Sequence, residues 1–325
     1  MKILYTVLFI VFRYVLATDE ELQLWEKYKA TYHKSYKTPA EENQRFKIFQ
    51  NNLKQINRHN EKHQKGLASY EMGVNKFADL TVDEFLDKYR YKTYPTEIRI
   101  FNDTLPKANE IDSSEEDYLD WREKGAVTPV KNQGTCGSCW IFSAIGVLES
   151  YYFRKYNKLI PFSEQAIVDC IANNSCLGGW PPLVFNHVKQ HGVVKEEEYR
   201  YEEKQGQCRQ NQFQPIKIPF KSFVQIQDNE ADLKQAVTRH GPALVCLYAN
   251  YKWMFYKKGV WYEEECSYYA NHAVVLVGYG RERGQDYWIL KNTLGKDWGE
   301  DGYMKMARNK HYNYCGITAT SYYVK

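Results

Sequence analysis

The sequence predicts an α+β fold in which a helix-rich half precedes a strand-rich half, with a separate helical piece in front. Three observations carry that reading. Apolar residues recur at three- and four-residue spacing up to about residue 65, and helical patterns return over 139–155, 163–170 and 180–191. From about residue 215 short apolar runs punctuated by glycine take over. None of the eight cysteines lies before Cys136, so composition divides the 325-residue chain near residue 115. Helices and strands segregated in this way meet along a seam, and a seam is a natural cleft.

The elements follow in order. Lys2, the apolar run Ile3 to Phe12 (followed by Arg13) and the small residue Ala17 read as a secretory signal peptide over 1–17, too short for the ~20 apolar residues that span a bilayer. Within 18–114, Leu22, Trp25, Tyr28 and Tyr32, then Phe46, Phe49, Leu53 and Ile56, mark two amphipathic helices broken near Pro39. Residues 90–117 lose the period and carry Pro95, Pro106 and a Ser-Ser-Glu-Glu-Asp run, the composition of a cleavable linker. The body, 115–325, has its strands at Ala243–Tyr248, His272–Val277, Tyr287–Leu290 and Tyr303–Met306, with Gly278, Gly280, Gly284 and Gly302 as turns.

Composition excludes several function classes. At 43% hydrophobic and 16% aromatic the chain is globular, and a net charge of +4 is too dilute for a nucleic-acid face. No other stretch could cross a membrane, so neither nucleic acid nor membrane is an expected partner. Two sequons, at Asn102 and Asn173, fit glycosylation of a secreted chain. Secretion places the cysteines where disulfides persist, and eight of them suggest four bridges.

The chemistry concentrates in Gln133-Gly-Thr-Cys136-Gly137-Ser-Cys139-Trp140. A Cys-x-x-Cys pair alone admits a zinc or redox reading. Zinc would need two more nearby ligands, and a redox motif would need a preceding strand where this segment is loop leading into helix. No metal or cofactor is called for. The five residues Cys136 to Trp140, with His272 and Asn292 about 130 and 150 residues further on, form instead a known nucleophile signature. Together with Asp120-Trp-Arg-Glu-Lys-Gly-Ala-Val-Thr-Pro, Cys176-Leu-Gly178-Gly179, Val277-Gly-Tyr-Gly280 and Asp297-Trp298-Gly-Glu-Asp-Gly, the chain resembles the papain family of cysteine proteases, cathepsin L-like branch.

The resemblance implies a papain-like fold, a helical left half and an antiparallel, barrel-like right half with the cleft between them. Cys139 would be the nucleophile, His272 its imidazolium partner, Asn292 the residue orienting the ring, and Gln133 an oxyanion donor beside the Cys139 backbone N–H. Gly137, Gly178 and Gly179 would border the extended substrate. Trp180, Pro181, Cys246, Ala270, Ala273 and Thr320 would line an uncharged pocket for the residue two before the scissile bond, and Trp298 would form an aromatic wall on the leaving-group side. The family usually continues Asn-Ser-Trp-Gly; here the chain reads Asn292-Thr-Leu294-Gly, which gives the His–Asn pair a smaller shield, and Leu177 replaces an Asn before the glycines. A catalytically weakened homologue acting as a binding protein is the alternative that Leu294 keeps open.

In the front piece, Glu41, Arg45, Phe49, Asn52, Ile56 and Asn60 match the helical signature of cathepsin L-like propeptides, at spacings that share one helix face. Gly73, Asn75, Phe77 and Asp79 match the second propeptide motif. An inhibitory prodomain follows from the resemblance, docked on the strand-rich half, with the segment after Asp79 crossing the cleft in a non-productive direction. Activation would cut the linker and leave a mature start near 112–117. Acid would weaken pairs such as Glu41–Arg45 and those of Asp79. The expected partners are polypeptide substrates, the chain's own propeptide and cystatin-like inhibitors, for a monomer in the secretory pathway, secreted or lysosomal. The family's disulfides would be Cys136–Cys176, Cys170–Cys208 and Cys266–Cys315. The even count then hides two free thiols, Cys139 and a buried Cys246.

Overall fold

The computed structural model describes residues 19–89, 117–171, 174–226, 229–264, 266–310 and 313–325. The expected signal peptide, nearly all of the expected linker and the two sequon asparagines, Asn102 and Asn173, lie outside the described residues.

The front piece is built on two helices, α1 (19–31) and α2 (Pro39–Gln64). α2 begins where its sequence says it should. Thr38 caps the backbone N–H of Glu41 at 3.1 Å, Pro39 opens the first turn, and the Glu41 carboxylate accepts from the Lys37 N–H at 2.8 Å. That capping overturns the expected Glu41–Arg45 pair. The Lys37 N–H, just ahead of the cap, holds the Glu41 carboxylate, and Arg45 reaches Glu84 at 2.7 Å and the Asp79 carbonyl at 3.1 Å. Phe49, Asn52 and Ile56 are the buried stripe of α2, with Glu41, Arg45 and Asn60 partly buried along it. Trp25 and Tyr28 of α1 pack on Phe49, with centroids 5.3 and 4.9 Å away. A strand β1 (Tyr70–Met72) and a helix α3 (Val82–Tyr89) complete the front piece. Thr81 and Glu84 form a reciprocal capping box at the start of α3.

The body opens with β2 (Leu119–Asp120) and three helices, α4 (Cys139–Tyr156), α5 (Glu164–Cys170) and α6 (Pro181–His191). β3 (Phe223–Gln225), α7 (Glu230–His240) and β4 (Ala243–Leu247) follow, then β5 (Tyr256–Trp261), β6 (His272–Glu282), β7 (Gln285–Lys291), β8 (Tyr303–Ala307) and β9 (Thr320–Val324). The sheet runs β1-β5-β8-β7-β6-β4-β9-β3, with β2 also on β6; every pairing is antiparallel except β5 with β8. The helical front and the helix-then-strand order match the sequence reading. Periodicity missed α3, α7, β5 and β9.

α4 is apolar on all sides because it is buried on nearly all sides, from Cys139 through Ser150. It lies across β6 so closely that a Cβ on Gly146 would stand 2.9 Å from Val275 Cγ2. A buried polar relay also ties the halves together. Lys291 Nζ at the end of β7 donates to Thr128 Oγ1 at 2.9 Å, Thr128 donates to Glu149 on α4 at 2.5 Å, and Lys131 binds Glu149 and Glu164. Burial pushes Lys291 down to about 8, whereas three carboxylates around Lys131 keep it charged. Three disulfides are present, Cys136–Cys176, Cys170–Cys208 and Cys266–Cys315, and Cys139 and Cys246 are free and buried. The four bridges suggested by counting are therefore replaced by three.

Candidate active site

Cys139 is the first residue of α4. Its N-cap, Ser138, is a residue type that normally satisfies the first N–H groups of a helix, yet its side chain makes no capping bond. The helix thus presents its positive dipole end beside the sulfur, an environment that favours a thiolate.

His272 is the first residue of β6, paired across the sheet with Leu247. Its neighbour Asn271 fixes it there: the Asn271 amide accepts from the Ala249 N–H at 2.7 Å and donates to the Ala249 carbonyl at 3.1 Å. His272 Nε2 lies 2.8 Å from Asn292 Oδ1. Thr293 N–H donates to the same oxygen at 2.8 Å, so the amide is oriented oxygen-first toward the ring. Asn292 Nδ2 is buried with no hydrogen-bond partner. Such an orphan costs about 1–3 kcal/mol and is tolerated here because both uses of the oxygen serve the histidine and its strand.

Gln133 is fully buried. Its backbone N–H donates to the Thr293 carbonyl at 2.8 Å, and Thr293 Oγ1 donates to its side-chain oxygen. The amide is thereby turned so that Nε2 faces the Cys136 carbonyl, at 3.0 Å, three residues before Cys139. One chain of bonds therefore runs from His272 through Asn292, Thr293 and Gln133 to the loop that delivers Cys139.

The front piece covers this site. Phe85 and Leu86 of α3 close over His272, Trp253, Ala249, Asn271 and Leu294, leaving a cavity of 20 Å³. Under that cover burial pushes His272 down to about 4, against the opposing pull of Asn292. That shift favours the uncharged imidazole here, in contrast to the imidazolium expected from the sequence. Trp253 meets the His272 ring edge-on at 6.1 Å. Trp298 is buried behind it, stacked on Trp253 and donating to its carbonyl at 2.8 Å. Trp253, in a 3-10 helix too short to show periodicity (Tyr251–Phe255), left no signal in the sequence.

Cys246, Ala273 and Thr320 share one rung across β6, β4 and β9. Trp180 and Pro181 open α6, and Ala270 stands in the turn before β6. The glycines carry a packing demand as well as an open approach. A Cβ on Gly179 would fall 2.4 Å from the Trp140 indole, and one on Gly137 would fall 2.6 Å from the Cys176 carbonyl. The prodomain motif docks as a strand and a turn. β1 pairs with β5, Gly73 N–H donates to Phe255 O at 2.9 Å, and Asn75 Nδ2 donates to Met254 O at 2.7 Å. Phe77 packs on Phe85 at 5.1 Å, and Asp79 turns inward among Tyr28, Lys34 and Tyr36. The direction in which the chain continues after residue 89 lies outside the described residues.

A helical half bearing a cysteine at a helix start, a sheet bearing a paired histidine and asparagine, and a domain sealing both define a thiol hydrolase held shut. Residues 116–325 match the papain family cysteine proteases, and residues 25–85 match the cathepsin propeptide inhibitor domain. A cathepsin L-like proteinase of Fasciola hepatica is 38% identical over 94% of this chain and 93% of its own, and mouse cathepsin K is 40% identical over 94% of each. The structure of a digestive procathepsin L2 from Tenebrio molitor larval midgut superposes with a TM-score of 0.86, at 36% identity over 94% of this chain and 99% of its own. The chain belongs to the papain family of cysteine proteases. It is a cysteine endopeptidase made as a zymogen; its propeptide domain inhibits its own protease, and its substrates are proteins.

Proposed function

We propose that Cys139 attacks the scissile carbonyl carbon as a thiolate while His272, protonated once uncovered, gives its proton to the departing amine. Water then attacks the resulting thioester, His272 takes a proton from it, and the carboxylic acid leaves with Cys139 restored. Asn292 holds the ring, and the Cys139 N–H and Gln133 Nε2 stabilise the oxyanion; one such donor is worth about 2.7–4 kcal/mol in the transition state. The uncharged rung of Cys246, Ala273 and Thr320, with Trp180, Pro181 and Ala270, favours an apolar residue two before the scissile bond. Gly178 and Gly179 border the substrate backbone, and Trp298 supports the wall formed by Trp253.

The single observation that carries this reading is the His272–Asn292 pair sealed beneath Phe85 and Leu86. The signal peptide of 1–17, the propeptide of 18–114 and the peptidase of 115–325 complete it, with cleavage near 112–117. The three disulfides support passage through the secretory pathway to a secreted or lysosomal site. The enzyme works as a monomer, and cystatin-like proteins are fitting inhibitors once the cleft is open.

The test is acid incubation of the full-length zymogen, followed by N-terminal sequencing, titration with a thiol-directed epoxide and turnover of fluorogenic dipeptides. One titratable thiol, lost in Cys139→Ala, and faster turnover with Leu or Phe than with Arg at the penultimate position are the expected results. A titratable protein without turnover would favour the weakened homologue.

A further inference from the structure

Tyr201 lies outside the helices and strands, in the loop that leads from α6 toward Cys208. Its hydroxyl reaches two buried groups of the catalytic loop, the Gln133 carbonyl at 2.8 Å and Ser138 Oγ at 2.7 Å. The ring is fixed edge-on against Phe142, one turn into α4, at 4.8 Å and 87°. The Gln133 carbonyl only accepts, so the phenol donates to it, and the Ser138 hydroxyl stands between the phenol oxygen and the Cys136 carbonyl, which it meets at 3.4 Å.

The phenol therefore ties together the two chain segments that carry the oxyanion donors, the backbone of Gln133 and the residue before Cys139.

We propose that Tyr201 is a positioning residue for peptide hydrolysis, bridging Gln133 to Ser138 and so fixing the spacing between the two oxyanion donors. This rests on the reading of Gln133 and the Cys139 N–H as oxyanion donors. Burial raises the phenol's pKa well above its ordinary value, so the bridge keeps its proton throughout the working range.

Tyr201→Phe keeps the ring and removes only the bridge. In acid-matured enzyme, with rates expressed per titrated thiol, kcat should fall about tenfold, the scale of one hydrogen bond, while KM changes less than twofold. Affinity for a peptide aldehyde, whose adduct carries the tetrahedral oxygen, should fall by the same factor. A purely structural tyrosine would lower the yield of titratable enzyme and leave kcat per thiol and aldehyde affinity unchanged; that result overturns the proposal. Gln133→Ala in parallel separates the two readings. Loss of kcat in Gln133→Ala but not in Tyr201→Phe removes the tyrosine's role alone, and loss in neither removes the oxyanion assignment and the proposal with it. Should Tyr201→Phe not fold, Ser138→Ala alone cuts one arm of the bridge and should cost about threefold in kcat with KM held; unchanged kcat there also overturns it.

Discussion

The prodomain is held together and held down by different means. Inside it, Asp79 is buried and accepts from Tyr28 at 2.6 Å, Lys34 at 2.8 Å and Tyr36 at 3.0 Å, while Asn52 donates to the carbonyls of Ala78 and Leu80 at 2.9 Å each. Where it meets the protease, the charges are half in water: Glu71 with Lys257 and Lys258, and Lys76 with Asp297. The docking seam relies on strand pairing, on Asn75 and on the apolar lid of Phe85 and Leu86. Exposed pairs contribute little, and buried polar clusters collapse when one member is lost. Release of the prodomain should therefore follow from loss of its own fold and from events beneath the lid, more than from neutralising the seam.

The largest effect should come from the interior. Asp79→Ala removes this acceptor from Lys34, the buried Tyr28 and the half-buried Tyr36 and should cost about 2–4 kcal/mol of prodomain stability. Full-length protein should then mature at pH 7, with an early prodomain transition in thermal unfolding of a Cys139→Ala background. A variant that melts and matures like the parent would break the comparison.

Next is the lid. Burial holds His272 down to about 4 in the docked state. Where uncovering raises it, protons bind preferentially to the uncovered enzyme, and docking weakens as pH falls through the raised value toward about 4. NMR titration of ring-labelled histidine in Cys139→Ala zymogen should find His272 near 4 and find it raised after propeptide removal. Equal values in both states would remove the lid from the acid response. The lid can also be tested by volume. Leu294→Trp cannot fit the 20 Å³ left beneath Phe85 and Leu86, so the zymogen should leak activity at neutral pH by roughly tenfold. An unchanged pH profile of the mature Leu294→Trp enzyme would show that shielding of the His–Asn bond by a larger side chain has no part here.

The smallest effect belongs to the seam. Glu71 is lowered by the Lys257 hydrogen bond and by Lys258, so its contribution is present above the ordinary value of 4.5 and is lost as pH falls through the depressed one. Because the lysines are exposed, Glu71→Gln should weaken inhibition less than about fivefold, measured as the rate of zymogen maturation at pH 5. A change as large as that of Asp79→Ala would reverse the ranking.

The site was more legible in the sequence than the fold around it. Cys139, His272, Asn292 and Gln133 stand in recurrent local contexts, and each local context builds its own scaffold: helix start, strand start, strand end, loop. The groups that act on them from a distance were not legible. Trp253 lies in a short 3-10 helix (Tyr251–Phe255), and Phe85 reaches His272 only because α2 and β1 bring α3 there. Glu41 shows the opposite error, a charge pair inferred from helical spacing where the Lys37 N–H ahead of the cap competed and won. The Thr38-Pro39-Ala-Glu41 signature of a helix start was in the sequence to prevent it.

The strand pairing that docks the prodomain has a second consequence. β5 has β8 on one side and β1 on the other, so departure of the prodomain turns an interior strand into a sheet edge. An open edge is a template for joining another chain. Lys257 and Lys258, both exposed on that strand, place adjacent positive charges where a second copy would have to align its own. The lysines that grip Glu71 in the zymogen thus become the guard of the freed border, and the same two side chains serve first to attract a strand and afterwards to refuse one.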